Sequence, residues 1–337
     1  MLFRSWKIGW WAYKNERYAD AVEAFERGAA TFPRSDLRPS WLYWSARARE
    51  EIGDRAGAEA RYRLVVTDYQ NSYYGRLAVK RLSGERGGAV TPMLQRQPVA
   101  SAPVPTAERI ETLIAVGLNR EAMSEVQYAQ RMWGDSPQLQ ATLAVVHNRL
   151  GNVRAGINAM KRAYPQYLAA GGESLPSEIL KVIFPVDYWP LLQKYAKERN
   201  LDPYVVAALV AQESNFDREV KSSANAWGLM QVLPSTGRGY ARRLGVKGFS
   251  TRRLTDAEVN VRIGTQIFAD SIKKFGGVHF ALAAYNAGDS RVASWQREKP
   301  GLPQDEFIDD IPFPETQNYV KRILGTAEDY RSLYGAK

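Results

Sequence analysis

The chain has 337 residues, of which 45% are hydrophobic, and a formal net charge of +10. This length exceeds one ordinary hydrophobic core, so we expect two or three domains. Cysteine is absent, which excludes disulfides, thiol catalysis and cysteine-ligated zinc. The two histidines, His147 and His279, lie far apart in the sequence, which argues against a histidine metal site or a Ser-His-Asp triad. His279 alone could still serve as a base.

The excess of positive charge suggests an anionic partner, either nucleic acid, a membrane surface or an acidic polymer such as cell wall, although a generically basic protein is the alternative. No nucleic-acid-binding motif is present. No apolar run approaches about 18 residues, so no transmembrane helix is expected. The first residues, MLFRSWKIGWWAYKN, lack the apolar core and cleavage site of a signal peptide. They predict either a cytoplasmic protein or a mature or truncated form.

The first 82 residues have the periodicity of two helical hairpins, with helices at about 5–15, 18–31, 39–52 and 54–70. A repeat at an offset of 37 residues aligns Trp6 with Tyr43 and Phe25 with Tyr62. This pattern resembles degenerate tetratricopeptide repeats. Because two such units stack poorly alone, we expect residues 1–82 either to dock on other helices or to continue a longer array.

Residues 83–105 are rich in Pro, Gly and Ala and predict a linker. Helical periodicity returns in a second region, 106–185, with helices at about 106–117, 119–133, 136–150 and 152–164. Neither helical region carries a catalytic motif, so their expected role is a scaffold or a surface for protein partners. From residue 186 the character changes, and no segment shows strand alternation, which predicts an all-α protein.

Glu213 closes the apolar segment LDPYVVAALVAQES, for which Asp202 is the predicted N-cap and Pro203 the first helical residue. The residues one and two turns before Glu213 are apolar: Val206, Leu209 and Val210. Burial and the negative end of the helix dipole both raise the pKa of such a carboxyl group. A carboxylic acid that keeps its proton near neutral pH is suited to general acid catalysis. An exposed Glu at a frayed helix end is the alternative.

Two further motifs contain Gly next to polar and aromatic residues. In SSANAWGLMQVLP, Gly228 permits close backbone approach, Met230 offers an adaptable apolar surface, and Gln231 offers both a donor and an acceptor. In HFALAAYNAG, Asn286 and the following Gly suit a helix C-terminus, and Tyr285 is predicted to be buried with a partner for its hydroxyl. Ordinary core packing explains both motifs equally well.

The last motif, PETQNYV, begins the final long helix. Glu315 is predicted in its first turn, with Tyr319 one turn further on the same face. The positive end of the dipole favours an ionised Glu315, so the two carboxyls, Glu213 and Glu315, have opposite helix-end environments. Such a pair can divide acid and base roles, or Glu315 can simply stabilise the helix end.

Taken together, QES, GLMQ, AYNAG and PETxxYV in this order resemble the catalytic domain of soluble lytic transglycosylases, lysozyme-like enzymes that cleave bacterial peptidoglycan. The resemblance covers about 186–337. It implies tetratricopeptide-like helical hairpins followed by a lysozyme-like α-helical catalytic domain. It also implies a location in the periplasm or cell envelope, glycan strands of peptidoglycan as the partner, and neither cofactor nor metal.

The resemblance further implies cleavage of the β-1,4 bond between N-acetylmuramic acid and N-acetylglucosamine, with a 1,6-anhydro product. Glu213 would act first as acid and then as base, so a second carboxylate is not obligatory. Substrate contacts are implied for Ser222, Met230, Gln231, Leu233, Tyr285, Asn286, Glu315 and Tyr319, with the Tyr285 hydroxyl close to Glu213. A muramidase that uses water, or a non-catalytic scaffold that binds cell wall, remains an alternative.

Overall fold

The computed structural model describes residues 2–86 and 105–335. Eighteen α-helices occur in these two stretches, and no β-strand does. Two isolated bridges, Lys221 with Trp227 and Trp227 with Val232, are the nearest approach to a sheet in the described residues. The predicted all-α class is therefore confirmed. The predicted linker at 83–105 lies mostly outside the described residues.

The chain divides into two compact units. The first comprises Met1–Val146 and Ala159–Pro176, and the second comprises His147–Asn158 and Ser177–Lys337. The four regions expected from composition, with boundaries at 82, 105 and 185, stay a prediction. Nine α-helices precede the short 3₁₀ turns at 165–174: α1 (Leu2–Lys14), α2 (Tyr18–Thr31), α3 (Arg38–Glu51), α4 (Arg55–Tyr69), α5 (Tyr73–Arg86), α6 (Ala107–Ala115), α7 (Asn119–Trp133), α8 (Pro137–Arg149) and α9 (Val153–Ala163).

The 37-residue repeat corresponds to equivalent core positions of the first unit. Trp6 and Tyr43 are both buried, as are Phe25 and Tyr62. Gly9 allows the ring of Phe25 to approach, since a Cβ there would lie 2.5 Å from it. The small and aromatic residues of the repeat therefore alternate because one helix of each hairpin must fit closely against the next.

Helix α5 was not predicted, because its sequence begins YYG and ends SGER, and both ends read as loop. The structure shows that it packs against α4 and α3, with Tyr74 and Ala78 buried. Burial of these side chains outweighs the weak helix propensity of the segment. The helix continues to Arg86, past the residue at which the linker was predicted to begin.

Nine more helices follow: α10 (Ser177–Ile183), α11 (Trp189–Glu198), α12 (Pro203–Ser214), α13 (Pro234–Arg243), α14 (Ala257–Phe275), α15 (Val278–Ala287), α16 (Asp289–Glu298), α17 (Gln304–Asp310) and α18 (Pro314–Tyr334). Helix α12 packs against α11 and α18, and its residues 205–210 are buried on every side. A helix that is apolar all round belongs in a hydrophobic core, so α12 is the buried core helix of the second unit. Among the described residues, no helix is both long and apolar enough to cross a membrane.

Candidate active site

Glu213 lies in the last turn of α12, where this buried helix ends and a polar loop begins. The predicted start of α12 is confirmed, since Asp202 accepts a hydrogen bond from the Tyr204 backbone N–H at 2.9 Å and Pro203 is the first helical residue. The helix ends at Asn215, whose positive φ of 49° gives the left-handed conformation that closes many helices. Glu213 is partly exposed, and the residues one and two turns before it have no exposed surface: Val206, Leu209 and Val210.

Burial raises the pKa of the Glu213 carboxyl to about 7. The largest cause is desolvation, which penalises the charged form, and a hydrogen bond from Tyr319 lowers the pKa by a smaller amount. No charged neighbour contributes to this pKa among the described residues. The carboxyl group can therefore hold a proton near neutral pH and release it without a nearby ion to oppose either step.

The hydroxyl of Tyr319 donates a hydrogen bond to Oε1 of Glu213. Tyr319 is buried in the second turn of α18, and burial together with the Glu213 charge raises its own pKa well above the ordinary value. Tyr319 therefore stays protonated and keeps a hydrogen that it can donate to Glu213. The resemblance implied that the hydroxyl of Tyr285 lies close to Glu213, and the hydrogen bond to Glu213 comes from Tyr319.

Tyr285, near the end of α15, instead donates its hydroxyl to the Met230 carbonyl oxygen at 2.7 Å. The ring packs edge-on against Phe268, and the pKa of Tyr285 is raised by burial and by the charge of Glu213. Tyr285 is thus near enough to Glu213 to feel its charge, while its hydrogen bond fixes the neighbouring turn. The partner predicted for its hydroxyl is therefore present, and the side chain as a whole is half-buried.

That turn is built around Gly228, which has a φ of +75°. A Cβ at Gly228 would lie 2.1 Å from the Leu254 carbonyl oxygen, so the predicted close backbone approach is confirmed. Buried Asn260 of α14 accepts from the Met230 N–H at 2.8 Å and donates to the carbonyl oxygens of Trp227 and Leu254, both at 2.8 Å. The turn is therefore held by a fully buried amide that satisfies three backbone groups.

The end of α12 is attached to the same turn. The Ser214 hydroxyl lies 2.9 Å from the Leu229 carbonyl oxygen and 3.1 Å from that of Val210. The side chain of Met230 has no exposed surface and lies so close to Gly264 that a Cβ there would be 2.5 Å from its sulfur. Met230 thus lies below the surface, so it can shape a cleft only from beneath and does not present its side chain to a substrate.

Three other predicted residues lie around the turn, and they differ in which of their side-chain groups remain available to a substrate. The Ser222 hydroxyl oxygen accepts from the Ala226 N–H at 3.0 Å, which leaves its hydrogen available to a further acceptor. The Gln231 amide nitrogen donates to the carbonyl oxygens of Gly228 at 2.9 Å and Val220 at 3.2 Å. The side chain of Leu233, just before α13, is 43% exposed, so it presents an apolar surface to solvent.

The remaining predicted residues, Asn286 and Glu315, lie at the end of α15 and the start of α18, two helices that pack together. Thr316 donates its hydroxyl hydrogen to Oδ1 of Asn286 at 2.6 Å. Gly288 follows α15 with a φ of +90°, as the motif required. Glu315 is in the first turn of α18, as predicted, and its side chain is exposed. The structure therefore brings Tyr319 to Glu213 and leaves Glu315 at the surface.

Side-chain contacts with α17 fix the start of α18, and no sequence motif predicted these contacts. The Gln317 amide donates to the Asp309 backbone carbonyl oxygen at 2.7 Å, and Lys321 pairs with the buried Asp309 carboxylate at 2.5 Å. A buried ion pair of this kind fixes geometry more than it adds stability. The signal that could have revealed it is a lysine at an otherwise apolar position of α18.

Histidine and metal chemistry have little structural basis near Glu213. Burial lowers the pKa of His279 to about 4, and its ring packs against Phe280 and Phe307. Within the described residues, no group of three or more His, Asp or Glu side chains is arranged to hold a metal ion.

Comparison with known proteins finds one family model. Residues 190–308 match the model described as Transglycosylase SLT domain. The match runs from α11 into α17, so it includes Glu213, and Tyr319 of α18 lies just beyond it.

Relatives extend the similarity beyond the SLT domain. The soluble lytic murein transglycosylase of Escherichia coli K12 is 27% identical over 303 residues, which are 89% of this chain and 45% of that protein. A putative soluble lytic murein transglycosylase of Haemophilus influenzae is 32% identical over 158 residues, 46% of this chain and 27% of that protein. The chain thus spans about half or less of the length of these relatives.

Solved structures show the same fold. The 70 kDa soluble lytic transglycosylase of E. coli superposes with a TM-score of 0.67 at 26% identity, covering 94% of this chain and 50% of that one. The lytic transglycosylase Slt of Pseudomonas aeruginosa gives a TM-score of 0.74 at 24% identity, covering 98% and 52%.

Proposed function

We propose that this protein is a peptidoglycan lytic transglycosylase. It cleaves the β-1,4 bond between N-acetylmuramic acid and N-acetylglucosamine and leaves a 1,6-anhydro-muramic end. The observation that carries this proposal is the Glu213 carboxyl group, whose pKa of about 7 arises from burial and not from a neighbouring charge. The lytic murein transglycosylase names of the relatives support the same reaction class.

In the proposed reaction Glu213 performs two proton transfers. Its carboxylic acid gives a proton to the glycosidic oxygen as the bond from that oxygen to C1 of the muramic residue breaks. The resulting carboxylate then takes the proton of the C6 hydroxyl, whose oxygen forms a new bond to C1. Because the attacking hydroxyl belongs to the same sugar, its effective concentration is high and no water is consumed.

Tyr319 decides which oxygen of Glu213 carries the proton in this scheme. Its hydroxyl donates to Oε1, so Oε1 is an acceptor and the acidic hydrogen belongs on Oε2. That choice leaves Oε2 to face the glycosidic oxygen. The same bond opposes the increase of the Glu213 pKa caused by burial, and so keeps it near 7.

The runner-up reaction is hydrolysis by a muramidase, which activates a water molecule and usually needs a second carboxylate. Glu315 is the second carboxylate of the sequence motifs, but its side chain is exposed in the first turn of α18. No carboxylate contributes to the pKa of Glu213 among the described residues. This arrangement favours the single-carboxylate reaction over hydrolysis.

Substrate contacts are proposed for the residues around the Gly228 turn. The free hydrogen of Ser222 and the side-chain oxygen of Gln231 are suited to sugar hydroxyl or acetamido groups. The exposed Leu233 offers an apolar surface to a sugar face. Tyr285, Asn286, Glu315 and Tyr319 complete the proposed cleft, and Met230 supports it from below.

The first-unit helices are proposed to bind protein partners or to position the wall, and the site of action is proposed to be the periplasm or cell envelope. The net charge of +10 suits an anionic wall polymer. A non-catalytic scaffold is disfavoured, because a buried carboxyl group with a raised pKa serves no packing purpose at the end of α12.

The deciding experiment is mass spectrometry of the fragments that the full chain releases from purified peptidoglycan, with Glu213→Gln in parallel. Anhydro-muramic ends from the wild type alone are expected. Fragments heavier by one water would replace the proposal with hydrolysis. Equal release by the variant would remove Glu213 from the mechanism, and no release by either would favour the scaffold.

A further inference from the structure

A cavity of about 560 Å³ lies in the same unit as Glu213, outside the residues that the reaction uses. We call it the Arg252 pocket, and its charged lining residues are three arginines and two carboxylates: Arg218, Arg252, Arg253, Glu219 and Asp256. One wall is the loop after α12, and the other is the 3₁₀ turn at 251–255 with the start of α14. Its size is within the range of pockets that hold small ligands.

The pocket carries more positive than negative charge that is available to a ligand. Asp256 is committed to the start of α14, where its Oδ1 accepts from the backbone N–H groups of Glu258 at 3.0 Å and Val259 at 3.2 Å. Its other oxygen is 3.8 Å from Arg253, a long and exposed pair. The N–H groups of Glu258 and Val259 are thus occupied by Asp256, so the attraction of the pocket for anions comes mainly from its side chains.

The arginines differ in how far they are neutralised. Arg218 lies 3.3 Å from the adjacent Glu219 carboxylate. The guanidinium of Arg252 has neither an ion pair nor a hydrogen bond to any group in the described part of the chain. An unpaired guanidinium in a concave site presents its donors in a fork that matches a carboxylate.

The pocket shares an anchor with the turn beside Glu213. Asn260 holds the carbonyl oxygen of Leu254, in the 3₁₀ turn of the pocket wall, and also the backbone of Trp227 and Met230. Arg218 follows Glu213 by five residues in the loop that leaves α12. Both sites are therefore built on one rigid hydrogen-bonded element, which suits them to neighbouring parts of one polymer.

We propose that the Arg252 pocket binds carboxylates of the peptides that branch from the glycan strand, with Arg252 as the principal contact. The inference rests on the proposed function, because it takes peptidoglycan as the substrate. In that polymer the sugar rings at the cleaved bond carry hydroxyl and acetamido groups, whereas the attached peptides carry free carboxylates. An arginine-lined pocket that is linked through Asn260 to the turn beside Glu213 thus matches the anionic part of the substrate.

The test compares two probes that differ only in charge. One is an N-acetylglucosamine–N-acetylmuramic acid disaccharide that carries a dipeptide with two free carboxylates, and the other has both carboxylates converted to amides. Titration calorimetry with the full chain should show roughly tenfold or greater preference for the acid, as one charge-assisted bond implies. Arg252→Gln should abolish that preference, whereas Arg238→Gln, an exposed arginine on α13, should retain it.

Equal affinity for both probes, no binding of either, or a preference that survives Arg252→Gln would each overturn the pocket assignment. Cleavage of peptide-free glycan strands tests the proposed function separately. If the protein cleaves the strands but binds both probes equally, the pocket assignment is wrong and the proposed function stands. A preference between the probes without cleavage would remove the transglycosylase reaction and keep the carboxylate site.

Discussion

The Tyr319 hydroxyl binds Oε1 of Glu213 across 106 positions of sequence. The bond joins the last turn of α12 to the second turn of α18. It gives the acid a fixed orientation and offsets part of the effect of burial on its pKa.

Glu213→Gln is expected to abolish cleavage, with a loss of about a thousandfold or more, because the amide cannot donate or accept the catalytic proton. The variant keeps an acceptor oxygen for Tyr319, so circular dichroism should show an intact fold. Glu198→Gln, an exposed carboxylate in the same unit, is the matched control and should keep full turnover. Near-normal turnover by Glu213→Gln would reassign the acid.

The same variant should change how stability depends on pH. The folded-state pKa of Glu213, about 7, lies above its ordinary value of 4.5, so the folded protein holds this proton more tightly than the unfolded chain. Stability from this group is therefore present below pH 4.5 and is lost as pH rises through 7. Glu213→Gln should be more stable than the wild type at pH 8, by on the order of 2 kcal/mol, and show little difference at pH 4. Thermal melts at both pH values would measure this, and a constant difference would contradict the raised pKa.

Tyr319→Phe should shift the alkaline side of the pH–rate profile of cleavage to higher pH. Cleavage is expected to fall above about pH 7 in the wild type as Glu213 loses its proton. The hydroxyl of Tyr319 lowers this pKa, so its removal should shift the alkaline side to higher pH while the maximal rate falls. Tyr330→Phe removes another buried hydroxyl of α18, one that binds the Pro185 carbonyl oxygen, and should leave the alkaline side in place. Identical shifts in both variants would point to a general loosening of α18.

Tyr285→Phe should lower kcat by about 10-fold to 100-fold, the effect of one lost hydrogen bond of about 1.5–3 kcal/mol. Without the hydroxyl, the Met230 carbonyl oxygen would lose its hydrogen-bond donor. The Gly228 turn would then be held less firmly in its position relative to Glu213. Tyr240→Phe, which loses a hydroxyl bound to Asp270 between α13 and α14, is a suitable comparison and should have little effect. Unchanged kinetics for Tyr285→Phe would leave that residue a packing role only.

Gly228→Ala should destabilise the second unit by at least about 2 kcal/mol, because φ is positive and the new Cβ would collide with backbone. Gly239→Ala is the control, since a Cβ in that part of α13 meets nothing within 4 Å. It should be neutral or stabilising by up to about 1 kcal/mol. Chemical denaturation curves measure both, and a tolerated Gly228→Ala would show that the turn can rearrange.

Local sequence patterns predicted much of the fold. The apolar residues before Glu213, with Asp202 and Pro203 at the other end of α12, gave that helix almost to the residue. Eight of the first nine helices were expected because their apolar periodicity is strong. Helix α5 was missed because its ends contain Gly and Ser, and packing on α4 compensates for them.

Within the site, the sequence indicated the residue types and their helix-end positions but not their pairing. Asn260 went unnoticed because an amide between Val259 and Val261 carries no motif, although its three hydrogen bonds hold the turn. A polar residue within the apolar face of a long helix is the signal that would have found it.

The sequence by itself determined an all-α chain with a carboxylic acid at the end of a buried helix, because periodicity, caps and desolvation act over a few residues. The tertiary structure decided that Tyr319, and not Tyr285, contacts Glu213, that Met230 lies beneath the surface, and that Glu315 remains exposed. These outcomes depend on how α12, α15 and α18 pack against one another. Packing angles arise from many distant side chains at once, and no local pattern records them.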